Sequence, residues 1–196
     1  MRLLPRRVAV RIGALALGLA PLAALAVRTG LDELGANPVE TVTHETGESA
    51  LRFLILTLCV TPARRWFGWS WLAPERRTFG LFAFGYACLH VATYLILDLE
   101  LDFTELAKDV VKRPYITAGF SAFVLLIPLA ATSTRAAMKR LGSNWIRLHR
   151  LAYVAAVAAC IHFLWLVKAD LLTPGIYTAL VGGLLIVRIR RPGIRH

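Results

Sequence analysis

Two histidines, His90 and His162, lie well inside apolar runs, "FGLFAFGYACLHVATY" and "LAYVAAVAACIHFLWL". Imidazole is costly to bury in hydrocarbon without a partner, so an ionisable residue in such a run is a functional candidate. Counted from Phe79 and Leu148 at 1.5 Å per residue, His90 lies about 16 Å and His162 about 21 Å into its helix. Given uncertain helix ends, those depths match. Two imidazoles at one depth can clamp a metal ion or the iron of a haem. A bare zinc or iron ion usually recruits three or four ligands, including Cys, Asp or Glu, and no apolar run has a carboxylate at that depth. A bis-histidine haem needs only two protein ligands. The plain alternative is a buried imidazole that merely hydrogen-bonds a carbonyl of a neighbouring helix. On their own helical faces His90 has Ala87, Tyr86 and Ala83, with Gly80 further down, and His162 has Ala159, Ala158 and Ala155. Such strips leave room for a flat macrocycle, and they equally let membrane helices pack closely.

A third histidine, His149, precedes His162 by thirteen residues, which on an ideal helix leaves the two about 140° apart. They do not share a face unless the helix is locally irregular. Arg147 and Arg150 flank His149, as beside lipid headgroups. A second haem and a solvated interfacial ring are both open for it. A partner fourteen residues before His90 would fall on Arg76, followed by Arg77. Arginine is a poor iron ligand, but it pairs well with the propionates of a haem. His44 lies in a polar stretch and reads as exposed; His196 is terminal.

These histidines need helices to carry them. The chain has 196 residues, 57% of them apolar, with a mean hydropathy of +0.60. Apolar runs predict an all-α integral membrane protein, a six-transmembrane-helix bundle with spans at about 8–27, 46–62, 79–98, 115–133, 148–167 and 173–189. One transmembrane domain over 1–196 is expected. The second span is the weakest, being short and holding Arg52; residues 38–47 extend it as a partly interfacial helix. The net charge of +11 does not indicate nucleic acid, because the charges sit in short segments between apolar runs. Seventeen of the 23 basic residues fall on one side: Arg2, Arg6, Arg7 and Arg11; Arg64, Arg65, Arg76 and Arg77; Arg135, Lys139, Arg140, Arg147 and Arg150; Arg188, Arg190, Arg191 and Arg195. Acidic residues mix with Arg28, Lys108, Lys112, Arg113 and Lys168 on the other. The positive-inside rule then puts both termini in the cytoplasm. The first span also has signal-peptide features, with Ala24-Leu25-Ala26 as a cleavage site, but is read as an uncleaved span.

Other features are plainer. Cys59, Cys88 and Cys160 lie inside spans as packing residues, and no CxxCH motif offers covalent haem attachment. Trp66, Trp69 and Trp71, beside Arg64 and Arg65, fit an interfacial aromatic belt. Residues 98–114 form a short amphipathic exterior segment. No GxGxxG or P-loop sequence and no Ser/His/Asp or Cys/His catalytic arrangement is present, and no internal repeat is apparent.

Four segments in order, "GANPVETVTHETGESALRFLILTLCVTPARR", "ERRTFGLFAFGYACLHVATY", "KRPYITAGFSAFVLLIPLAATS" and "NWIRLHRLAYVAA…IHF", resemble the haem-binding membrane subunits of the periplasmic methionine sulfoxide reductase system. This is the MsrQ/YedZ family, within the ferric-reductase-like transmembrane superfamily that includes NADPH oxidases. The resemblance covers most of residues 35–165. It implies one or two b-type haems, with His90, His149 and His162 at the ligand positions, and an association with FMN. It implies a multi-pass cytochrome b of the bacterial inner membrane. Electrons pass outward to a periplasmic molybdopterin methionine sulfoxide reductase that repairs oxidised proteins. The donor is a cytoplasmic flavin reductase, membrane quinol, or both, since no cytosolic FAD/NADPH domain accompanies the spans. The oxidases carry two pairs of histidines where this chain has three in its spans, which leaves the ligation of an inner haem open. Two other readings stand beside it: a small transporter or channel with a histidine relay, and a ferric reductase or quinol oxidase without a repair partner.

Overall fold

A computed structural model describes residues 5–167 and 171–190. Arg2, Lys168, Asp170, Arg191, Arg195 and His196 lie outside the described residues. Every regular element among the described residues is helical: α1 (Arg6–Gly30), α2 (Pro38–Phe67), α3 (Glu75–Thr93, continued by a π-helical turn Tyr94–Asp98), α4 (Phe103–Lys112), α5 (Pro114–Ala131), α6 (Arg135–Leu141), α7 (Ser143–Leu148), α8 (Leu151–Leu166) and α9 (Leu172–Arg190). The chain divides into two compact units, residues 1–103 and 104–196.

Among the described residues, four segments are long and apolar enough to cross a membrane: Arg6–Gly30, Glu75–Asp98, Pro114–Ala131 and Ser143–Leu166. Their outward side chains include Leu15, Leu19, Val124 and Val154, all exposed, a surface matched to hydrocarbon rather than water. The span expected at 46–62 is part of the 30-residue α2 and is not among these four, because Glu45, Glu48 and Arg52 lower its hydropathy. Instead α2 is the most enclosed helix of its unit: Phe53, Leu54, Leu58 and Val60 are buried. Its start is set by Pro38 at the first helical position and by Asn37, whose side chain accepts the Glu40 N–H at 3.2 Å. Its end is set by Gly68 in the left-handed conformation, φ 66°. The expected amphipathic segment is α4, closed by an Asp109–Arg113 ion pair at 3.0 Å.

In the first unit, α2 packs on α3, and α1 packs on both. Pro21 interrupts the hydrogen-bond ladder of α1, and a side chain from α3 enters the gap. The Tyr86 hydroxyl donates to Gly18 O at 2.8 Å and accepts from Leu22 N–H at 3.1 Å, the two groups a regular helix would pair with each other. Gly18 is required beneath it, since a Cβ there would lie 2.0 Å from the Phe82 ring. Tyr86→Phe is therefore expected to cost about 1–2 kcal/mol, read as a lower thermal midpoint in detergent. Arg28→Ala, which removes a half-exposed ion pair to Glu45 between α1 and α2, is expected to cost no more than about 0.5 kcal/mol in the same assay.

In the second unit, α5 packs on α8 and α8 on α9. Phe163 meets Tyr177 at 6.0 Å, and the Arg188 guanidinium sits 4.9 Å above the Tyr153 ring. The span expected from 148 starts later, at Leu151. The short α7 ends at Leu148, and His149 occupies the break. That is a local irregularity of the kind the 140° phase mismatch allowed for.

Candidate functional site

His90 projects from α3 toward α2, where its Nδ1 lies 2.9 Å from the Thr43 carbonyl oxygen. A carbonyl only accepts, so Nδ1 carries the proton and donates, and in the neutral ring Nε2 holds the lone pair. That is the tautomer an iron ligand needs, with the second nitrogen anchored to the protein. The Thr93 hydroxyl also donates to His90 O at 2.9 Å, within 3.3 Å of the Thr43 hydroxyl. Gly47 faces the ring: a Cβ there would come within 2.8 Å of His90 Nδ1.

His162, on α8, repeats this arrangement against α5. Its Nδ1 donates to Tyr115 O at 2.7 Å. A Cβ at Gly119 would lie 2.7 Å from His162 Nδ1. The three elements of each site are 72 positions apart: 43 and 115, 47 and 119, 90 and 162. Along the sequence the same offset aligns α2 with α5 and α3 with α8, and it pairs identical residues. Gly47, Ser49, Ala50, Leu54 and Ile55 match Gly119, Ser121, Ala122, Leu126 and Ile127; Ala83, Ala87, Cys88 and His90 match Ala155, Ala159, Cys160 and His162. The expectation of no internal repeat is thus corrected: each unit contains one copy of a two-helix, one-histidine module. Ala83 and Ala155, two turns before each histidine, are both fully buried.

His149 differs. Its Nε2 lies 3.1 Å from the Thr132 hydroxyl, which itself donates to Pro128 O at 2.6 Å. With that hydrogen committed, the hydroxyl accepts from His149, so Nε2 carries the proton. The ring stacks on Trp145 at 3.9 Å between centroids, and Trp145 Nε1 donates to Thr132 O at 2.9 Å. The 72-residue offset makes Arg77 the sequence counterpart of His149. Arg77 is exposed and Arg76 half-buried, in the first turn of α3. His44 is exposed, as expected. The cysteines are free thiols. Of the three tryptophans expected to form a belt, Trp66 and Trp69 are exposed and Trp71 is half-buried.

Among the described residues, no three His, Cys, Asp or Glu side chains converge as a metal site. What each unit presents is one imidazole whose Nδ1 is bonded to a main-chain oxygen and whose Nε2 is the basic nitrogen. Sequence reasoning found the histidines but missed Gly47, Gly119, Thr43, Tyr115 and Thr132. The spacing from Gly47 to His90 and from Gly119 to His162 is identical, but it gains meaning only once each ring is seen bonded to the carbonyl four residues before its glycine.

The family described as ferric reductase like transmembrane component matches residues 46–160. A protein of Herminiimonas arsenicoxydans, named protein-methionine-sulfoxide reductase heme-binding subunit MsrQ, is 52% identical over 174 residues, 87% of this chain and 80% of that protein. Proteins of the same name from Rhodospirillum rubrum and Xanthomonas oryzae are each 47% identical, over 95% and 87% of this chain and 89% and 81% of their own lengths. No solved structure matches.

Proposed function

This chain belongs to the ferric-reductase-like transmembrane family and, within it, to the MsrQ haem-binding subunits, and we propose that it is a cytochrome b delivering electrons to a periplasmic methionine sulfoxide reductase. The observation that carries the reading is the duplicated histidine site, in which each ring has its Nδ1 bonded to a carbonyl and its Nε2 as the basic nitrogen. A bound b-type haem supplies a one-electron iron couple. The chain's own residues do the rest. His90 and His162 are the residues that would hold the haem iron, each through its Nε2. The Thr43 and Tyr115 carbonyls fix each tautomer and make the donor nitrogens more basic. The apolar helices exclude water. No acid–base or nucleophilic step is required of the chain.

The finer reading keeps six spans in the bacterial inner membrane with both termini cytoplasmic. The basic segments support it, as do four segments long enough to span. The molybdopterin reductase docks on the periplasmic side, and electrons enter from quinol or a cytoplasmic flavin reductase; His149 would serve a second haem or the electron entry point, and Arg76 and Arg77 are further cofactor-binding candidates. The two guanidiniums suit propionate or phosphate groups. The test is an absorption spectrum of detergent-purified protein produced with haem supplied. A Soret band and reducible α/β bands are expected. A folded preparation without them would overturn the reading and favour the histidine-relay transporter. Reoxidation of the reduced protein by the periplasmic reductase and methionine sulfoxide, and by nothing less specific such as ferric citrate, would set the repair role apart from a ferric reductase.

A further inference from the structure

We infer that Gly47 and Gly119 are a matched pair of positioning residues which set the ring planes of the two iron-ligating histidines, an inference that rests on the cytochrome reading above. The argument begins with the acceptor carbonyls. In an α-helix, the carbonyl of residue i already accepts the N–H of residue i+4. For Thr43 that residue is Gly47, and for Tyr115 it is Gly119. An imidazole that donates to the same oxygen from a neighbouring helix must use its second lone pair, so the ring lies over the helix surface at position i+4. Any side chain there would occupy the space of the ring. A Cβ at Gly47 would lie 2.8, 3.0 and 3.4 Å from Nδ1, Cε1 and Cγ of His90, and one at Gly119 would lie 2.7, 2.9 and 3.0 Å from Nδ1, Cγ and Cε1 of His162. These contacts fall on the ring itself. The ring can relieve them only by rotating away, which breaks the bond to the carbonyl and turns Nε2 off its line.

The duplication is the second, independent support. Among the glycines of α2, α3, α5 and α9, only these two meet a histidine, and they meet it in the same way at the same offset. Gly85, about two turns before the end of α3, has nothing within 4 Å of an added Cβ, and at Gly80 the nearest atoms are 3.8 Å away on Thr57. Those two are substitutable controls on the helix that carries His90. A glycine inside a helix costs about 1 kcal/mol relative to alanine, so keeping one at each seat requires a steric reason, and the ring supplies it.

The experiment compares Gly47→Ala, Gly119→Ala and the control Gly85→Ala in the full chain, purified with haem supplied. The readouts are haem per chain, the low-temperature EPR spectrum and a redox titration. Each seat variant is expected to move the low-spin signal and the midpoint potential of the same haem, and to weaken haem retention by about tenfold or more, as loss of a ligand's supporting partner typically does. Gly85→Ala should match the parent in all three. The positioning role is overturned if both seat variants keep the parent's EPR signal and potential, or if they only lose folded protein while the haem that remains is spectrally unchanged. It is equally overturned if Gly85→Ala shifts the signal as much as they do. A parent protein with no haem at all would instead remove the cytochrome reading, so the two failures are told apart by the unsubstituted chain.

Discussion

His162→Ala is expected to lose the haem that His90→Ala also loses, with retained haem falling about tenfold or more in either variant. The argument is one of chemistry rather than of depth alone. Each ring is anchored through Nδ1 to a main-chain oxygen, Tyr115 O for His162 and Thr43 O for His90, which commits Nε2 to act as the basic nitrogen. Removing the imidazole removes an iron ligand and one donor to the main-chain oxygen, although Thr43 O keeps the Thr46 hydroxyl at 3.0 Å. If the rings served only to satisfy those carbonyls, the substitution would cost about 1 kcal/mol of stability and leave haem content alone. The two readings therefore predict different observables: lost Soret absorbance in one, a slightly lower thermal midpoint in the other. Full haem content with an unchanged spectrum in either variant would falsify the shared-haem reading. Because the two modules are equivalent, the losses should also be of similar size.

The helices were legible because burying or embedding them requires continuous apolar runs, and those are read directly from composition. His149 was legible as an anomaly. Its phase against His162 left either an irregular helix or a different approach near the helix end, and the helix is in fact broken between Leu148 and Leu151. The duplication was not legible, for a physical reason. The two copies share residues where they hold a histidine and pack alanines, and differ where their surroundings differ. Glu48 and Arg52 on α2 correspond to Phe120 and Val124 on α5. Nine identical positions spread over two helices are too sparse to stand out among Ala, Leu and Ile. The glycine seats were hidden for another reason, since a glycine in a membrane helix is ordinarily a packing residue. Its role shows only when the carbonyl four residues earlier is found bonded to a ring. The histidine–carbonyl bond, foreseen as the plain alternative, is present in both units. It does not compete with ligation, because the bond uses Nδ1 and the iron would use Nε2.

His149→Ala is expected to leave the His90/His162 signal intact and to act on a second component. Where the parent protein holds two haems per chain, the variant should hold one; where it holds one, reduction by the donor should slow by about tenfold or more. His149 is not seated as the other two are. Its Nε2 donates to the Thr132 hydroxyl, which passes its own hydrogen to Pro128 O, while the ring stacks on Trp145. For Nε2 to bind iron, this bond must be exchanged, so Thr132 competes with the metal for the same nitrogen. Thr132→Val removes that competitor with little change of shape. A ligating His149 then predicts tighter retention of the second haem in Thr132→Val and its loss in His149→Ala, two substitutions at one contact with opposite effects. A purely interfacial His149 predicts that neither substitution changes haem stoichiometry, spectrum or reduction rate. The exposed Arg77, which stands at the corresponding position of the first module, provides the cross-check. If the inner end binds an anionic cofactor, Arg77→Ala should weaken the same component that His149→Ala affects, and should leave the component held by His90 and His162 unchanged.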